Sequence, residues 1–183
     1  FNQLTHEKEL SIAYLKLALA ETLKDDNIFI NGFTSLLIPS SIADVLRICI
    51  ISDMKSRGLN ALDLGLSERK AFKILHKDDK DRITWLRVIL GKDDPWDSSL
   101  YDMVLHTNKM STEEIGDLIA GAIGGVAFMR TLYAQKVIED FVLASRVDVA
   151  AIKKGHYYVA AESDAGAVTL TINKNVLMLK RLE

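Results

Sequence analysis

The chain has 183 residues, 49% of them hydrophobic, with a net charge of -2 and a pI near 6.1. That is enough apolar content for one sizeable core or two small ones, and the balance of charge excludes a global basic field for nonspecific nucleic-acid binding. A single cysteine excludes an internal disulfide, and no uninterrupted apolar run approaches the roughly 20 residues of a membrane span.

From the N-terminus, Thr5 is in position to cap a helix through EKELSIAYLKLALAETL, whose Leu10, Ala13, Leu17 and Ala18 make a wide apolar surface that needs a partner to cover it. DDNIFINGF then reads as a turn into a strand stopping at Gly32, and TSLLIPSSIADV as a loop with a short helix. VLRICII is apolar enough for a strand covered on both faces, and its Cys49 reads as a small core residue. Asp53 caps a helix through DMKSRGLNALDL that Gly65 ends.

Ser67 opens the next helix, in which Ala71, Ile74 and Leu75 and later Trp85, Val88 and Ile89 recur at helical spacing. Between these two arms, HKDDKDR reads as a charged elbow. GKDDPWDSS is a turn, since Pro95 disfavours helix at Asp94 and the Asp and Ser side chains bond neighbouring backbone. YDMVLHT follows as a strand, and STEEIGDLIAGA carries a capping box, Ser111 with Glu114. AIGGV breaks the pattern, so a domain boundary is expected near Gly124, between residues 1–124 and 125–183. A long amphipathic helix from about Thr131 to Gly155 and a hairpin of HYYVAAES and AVTLTIN complete the order. No internal repeat or low-complexity tract interrupts it. Strands separated by helices make the fold class α/β, with the strands of DDNIFING, VLRICII and LYDMVLH expected in one parallel layer.

Four segments in this order carry a resemblance: VLRICIISDMKSR with Arg57, HKDDKDR with Asp79 and Arg82, SLYDMVLHT, and STEEIGDLI. Over roughly Asp26 to Ile119 the chain resembles the cytidylate kinase-like family of P-loop nucleoside monophosphate kinases. The resemblance implies a partial P-loop-kinase-like three-layer fold, followed here by the long helix and the hairpin. It implies a lid in which Arg82 neutralises a transferring phosphoryl group and Asp79 orients it, with Arg57 and Lys77 available to the nucleotide. The plainer reading of HKDDKDR is a solvated charge run with i,i+3 pairing. Gly166, Val168, Thr169 and Leu170 also resemble the hairpin of the small BON-like domains, of which about half would fit before Glu183.

The sequence departs from the family at three points. It holds no G-x-x-x-x-G-K-[ST] loop to wrap a triphosphate, so ATP and magnesium are expected to serve a longer protein rather than bind tightly to this chain alone. Phe33 follows Gly32 where the family tends to show an arginine, and His106-Thr107 stands where Asn-Thr is common. The four histidines lack Cys or acidic partners at ligand spacing, so no metal site is expected. With its first strand absent, the sheet is expected to recruit a homo-oligomer or a missing N-terminal segment. The partner is expected to be a nucleotide rather than nucleic acid or membrane, and the compartment the cytoplasm. The alternative to a kinase-related domain is a noncatalytic signalling or assembly module built on the same remnant.

Overall fold

The computed structural model describes residues 2–172. These form two compact units, one of residues 2–42 with 130–172 and the other of residues 43–129. The division follows packing rather than chain order, so it does not coincide with the expected boundary near Gly124: the first helix joins the elements at the other end of the chain.

In the first unit, α1 (Asn2–Thr22) packs along α5 (Leu132–Lys153). Ala13 meets Val149 and Ile152 in a buried cluster flanked by Leu10, Leu17 and Tyr157, so the apolar surface of α1 is covered by a helix. Arg130 closes the end of α1, donating from its guanidinium to the carbonyls of Leu23 (2.7 Å) and Lys24 (3.0 Å) and pairing with Asp26 (2.8 Å). These are carbonyls that a helix end leaves without an internal partner. Thr131 caps α5 by accepting from the amide of Ala134.

The segment after α1 corrects one expectation. Ile28 to Ile30 form no strand and Phe29 is 90% exposed. Asn27 before them has φ 59 and Gly32 after them φ 117, so both ends leave the extended region, and a short 3-10 turn, Phe33–Leu37, follows. A strand is held by its neighbours, and among the described residues this segment has none.

The expected hairpin forms as β3 (Val159–Asp164) and β4 (Ala167–Ile172), antiparallel with Asp164 opposite Ala167. Ala165 (φ 50) and Gly166 (φ 81) supply the left-handed pair that a two-residue type I′ turn requires. The last residue of the expected second strand, Asn173, lies outside the described residues, and the BON-like resemblance rests on sequence alone. The hairpin is fastened to α5 by two carboxylates. Asp140 accepts from the Ser163 hydroxyl and from the amides of Ala165 (2.9 Å) and Gly166 (2.8 Å), and Asp148 accepts from the amide of Ala161 (2.7 Å).

The second unit contains β1 (Ile48–Ile51), α2 (Met54–Asp63), α3 (Glu68–Leu90), β2 (Met103–His106) and α4 (Thr112–Ile123). β1 and β2 are parallel neighbours with Ile48 opposite Met103 and Ile51 opposite His106. The expected layer of three strands is therefore a pair among the described residues. Asp102 sets the register: its carboxylate accepts from the Arg47 amide (2.7 Å), while the Arg47 carbonyl accepts from the amides of Asp102 (2.8 Å) and Met103 (3.1 Å). Asp53 caps α2 through the Ser56 amide, and Ser111 and Glu114 form the full capping box of α4. Asp94 and Asp97 make the expected side-chain turns with the amides of Trp96 and Ser99.

The second correction concerns the charged elbow. α3 runs unbroken for 23 residues, with Leu86 fully buried and Gly91 at φ 66 closing its end. Within HKDDKDR, Asp79 pairs with Arg82 across a helical turn and with Arg57 on α2, while Lys77, Asp78, Lys80 and Asp81 are exposed to water, so nothing in the run forces the chain to bend. No single helix among the described residues is long and apolar enough to cross a membrane.

Candidate functional site

The sequence-identified residues lie on two helices of the second unit. Arg57 falls on the first turns of α2, just after the Asp53 cap, and Asp79 and Arg82 sit one turn apart near the middle of α3. The two helices pack against each other with Gly58 buried beside the Phe72 ring.

Arg57 then closes on Asp79 in a two-pronged pair, Nη1 to Oδ2 and Nη2 to Oδ1, both 2.8 Å. Arg82 Nη1 donates to the same Oδ1 at 3.0 Å. Two guanidiniums thus share one carboxylate, leaving the cluster with one net positive charge. Side-chain exposures of 21% for Arg57, 16% for Asp79 and 35% for Arg82 put the cluster half inside the protein. The hydrogen bonds from Arg57 hold the Asp79 carboxyl below its usual range against the opposing effect of burial, and those from Arg82 add to them. Asp79 in turn raises the Arg57 guanidinium above its usual value. Lys77 is exposed and stands outside the cluster, because two residues along a helix turn it about 200° away from Asp79.

A second feature of the same unit lies beyond the carboxyl ends of both parallel strands. There a crevice of about 660 Å³ opens between the starts of α2 and α4, lined by Ser52, Asn60, Thr107, Asn108 and Ser111 together with apolar Leu59, Met110 and Ile115. Asn108 Nδ2 donates to Asp53 (3.0 Å), tying the loop after β2 to the cap of α2. The Ser52 hydroxyl oxygen is buried with no hydrogen-bond partner among the described residues. In open α/β sheets, ligands bind outside the carboxyl ends of the strands. α2 carries both features, with Ser56 lining the crevice and Arg57 entering the cluster.

Sequence reasoning named Arg57, Asp79 and Arg82 but not Ser52, Asn60 or Asn108. The available signal was the polar run that follows each strand, SD after ICII and TNKMS after MVLH. Cys49 is buried in β1, where burial raises its thiol, in keeping with a packing role.

Magnesium-ATP requires acidic side chains at the metal and a glycine-rich loop followed by Lys and Ser or Thr. Among the described residues no three His, Cys, Asp or Glu side chains converge to hold a metal ion. Gly124 and Gly125 are followed by Val126, Ala127 and Phe128 rather than by Lys and Ser or Thr. These residues do not fit a triphosphate with its metal, and no step is derived through that group.

No curated protein and no solved structure matches the chain. The model of the cytidylate kinase-like family matches residues 3–109, which takes in α1, the Arg57, Asp79 and Arg82 cluster, both parallel strands and the Asn108 side of the crevice. The match spans more than half of the chain, and the protein belongs to the cytidylate kinase-like family.

Proposed function

We propose that this chain carries the phosphate-handling lid of a nucleoside monophosphate kinase-related function, with a cytidylate-like nucleotide as partner. The observation that carries the reading is the sharing of Asp79 by Arg57 and Arg82. A carboxylate between two guanidiniums keeps them charged, close and oriented, and an incoming phosphate competes for the same donors with similar geometry. In that role Arg82 acts on charge that develops during transfer, Asp79 orients it and Arg57 holds the acceptor. Lys77, exposed on the same helix, contributes only to the surrounding field.

Phosphoryl transfer from ATP with magnesium is assigned to a longer protein that carries a phosphate loop. This chain alone is expected to bind nucleotide weakly, because two guanidiniums at a half-exposed site compete poorly with water and salt. Calorimetric titration of the chain with CMP and with ATP, each with magnesium, tests the point. Micromolar affinity for either would overturn the division of labour. In a longer, active protein, Arg82→Ala should lower turnover far more than acceptor affinity; unchanged turnover would remove Arg82 from the chemistry.

One observation favours a second, noncatalytic reading, a signalling or assembly module. Both terminal nitrogens of Arg57 are spent on Asp79, as in a clamp whose purpose is to hold α2 on α3. Under that reading Arg57→Lys weakens the fold and leaves CMP titration unchanged, whereas the lid reading requires it to weaken both.

A further inference from the structure

The two edges of the hairpin differ. On β3 the amide of Ala161 points away from β4 and is taken by the Asp148 carboxylate, and Glu162 and Asp164 add charge along that strand. That edge is blocked. Ala161 stands opposite Leu170, so the two form a pair whose amides face outward, and by alternation Val168, Leu170 and Ile172 all turn their backbone groups toward the free side of β4.

Among the described residues β4 has no such protection. All six residues, Ala167 to Ile172, are exposed, none is charged, and among the described residues no strand pairs with the outer edge. Val168, Leu170 and Ile172 share one face and remain 39%, 54% and 48% exposed. An uncharged edge of this length without proline or lysine is a template for another strand.

The order of residues on that edge identifies the strand. Val168-Thr169-Leu170-Thr171-Ile172 reads β-branched, threonine, leucine, threonine, β-branched from either end. An antiparallel copy centred on Leu170 therefore sets Leu170 against Leu170, Thr169 against Thr171 and Val168 against Ile172, with the outward backbone groups of positions 168, 170 and 172 facing their complements. Cross-strand threonine pairs and matched apolar pairs are stabilising combinations, and a two-fold axis makes the surface its own complement.

We propose that β4 is a homodimerisation strand, which pairs antiparallel with β4 of a second copy about a two-fold axis at Leu170 to give a four-stranded sheet ordered β3-β4-β4-β3. Pairing stops at two copies because each outer edge is then a β3 edge capped by Asp148.

Sedimentation equilibrium of the full chain should show a dimer that dissociates on dilution. Leu170→Lys places two ammonium groups side by side on the axis and should give a monomer with an unchanged circular dichroism spectrum. Cysteine cross-linking supplies an independent reading. Two Leu170→Cys positions lie about 5.5 Å apart between Cα atoms, within disulfide reach, and should join on mild oxidation. Two Val168→Cys positions lie about 14 Å apart and should not. The unsubstituted chain, whose Cys49 is buried, is the blank. A monomer at all concentrations, larger open-ended assemblies, a dimer that survives Leu170→Lys, or cross-linking at position 168 in place of 170 would each overturn the proposal.

Discussion

Carboxylates fasten both units of this protein, but to different groups. In the second unit Asp79 binds the side chains of Arg57 and Arg82, whereas in the first Asp140 and Asp148 bind backbone amides of the hairpin. A guanidinium on a long side chain can exchange its carboxylate for another anion while the helices stay folded. An amide fixed by a turn cannot leave without the turn. The contrast separates a fastening that a ligand can compete for from one that belongs to the fold.

The largest effect should come from Asp79→Ala, which leaves two guanidiniums facing each other without their anion. Breaking a buried pair costs about 3–5 kcal/mol, and the partial exposure of this cluster brings the expected loss to about 2–3 kcal/mol in urea unfolding. If Asp79 does stand in for a ligand anion, inorganic phosphate should restore part of that loss, and chloride at equal ionic strength should restore less. A loss within experimental error would make the cluster an ordinary solvated surface. Asp140→Ala should cost about 1.5–2 kcal/mol through its hydrogen bonds to a charged group. Phosphate should not restore that loss. The change should be local, with the Ala165 and Gly166 amides exchanging faster while those of β1 and β2 do not.

Acid should separate Asp79 from Asp148. The Asp79 carboxyl is held down by Arg57, so its stabilisation is complete above the unfolded value of about 3.9 and is lost as pH falls through its lower folded value. Burial raises Asp148 more than the Ala161 amide and Lys16 lower it. Its ionisation thus works against folding above its folded value, and that penalty disappears as pH falls through the window toward about 3.9. Unfolding midpoints between neutral pH and pH 3 should fall less steeply at the acid end for Asp79→Asn. Asp148→Asn, which keeps an acceptor for the Ala161 amide, should match or exceed the parent at neutral pH and lose the component of its pH response in that window. The opposite ordering would reverse the assignment of the two environments. The smallest effect belongs to Arg87→Ala, within about 0.5 kcal/mol, because the Arg87 and Asp93 pair (2.6 Å) is 63% and 74% exposed and screened by water.

The features legible in the sequence were those decided within a few residues. Asp53, Ser111 with Glu114, and the Asp94 and Asp97 turns read correctly because a cap or a side-chain turn needs only its own neighbourhood. β1 and β2 were legible because their apolar runs were bounded by turn residues. DDNIFING misled because its composition suits a strand while the partner that would hold it is not a local property. HKDDKDR misled in the other direction: as a string it resembles a break, but Asp79 and Arg82 meet on one helical turn and Arg57 arrives from 22 residues away. That last distance also explains why the three site residues could be named singly and their shared carboxylate could not. The crevice went unread because its lining is ordinary Ser, Thr and Asn beside Leu59, Met110 and Ile115, and only the parallel pairing of two strands brings their ends to one place.

The unbroken course of α3 makes it a lever. Its 23 residues form a rod about 35 Å long, and Asp79 lies about 18 Å from Gly91, where the left-handed cap ends the helix. A tilt of about 10° about that point would sweep Asp79 through about 3 Å, comparable to the 2.8 Å bonds that join it to Arg57. A displacement of that size at Asp79 would part it from Arg57. Spectroscopic labels, one near Glu68 and one near Gly91, would register such a tilt as a displacement several times larger at the Glu68 end.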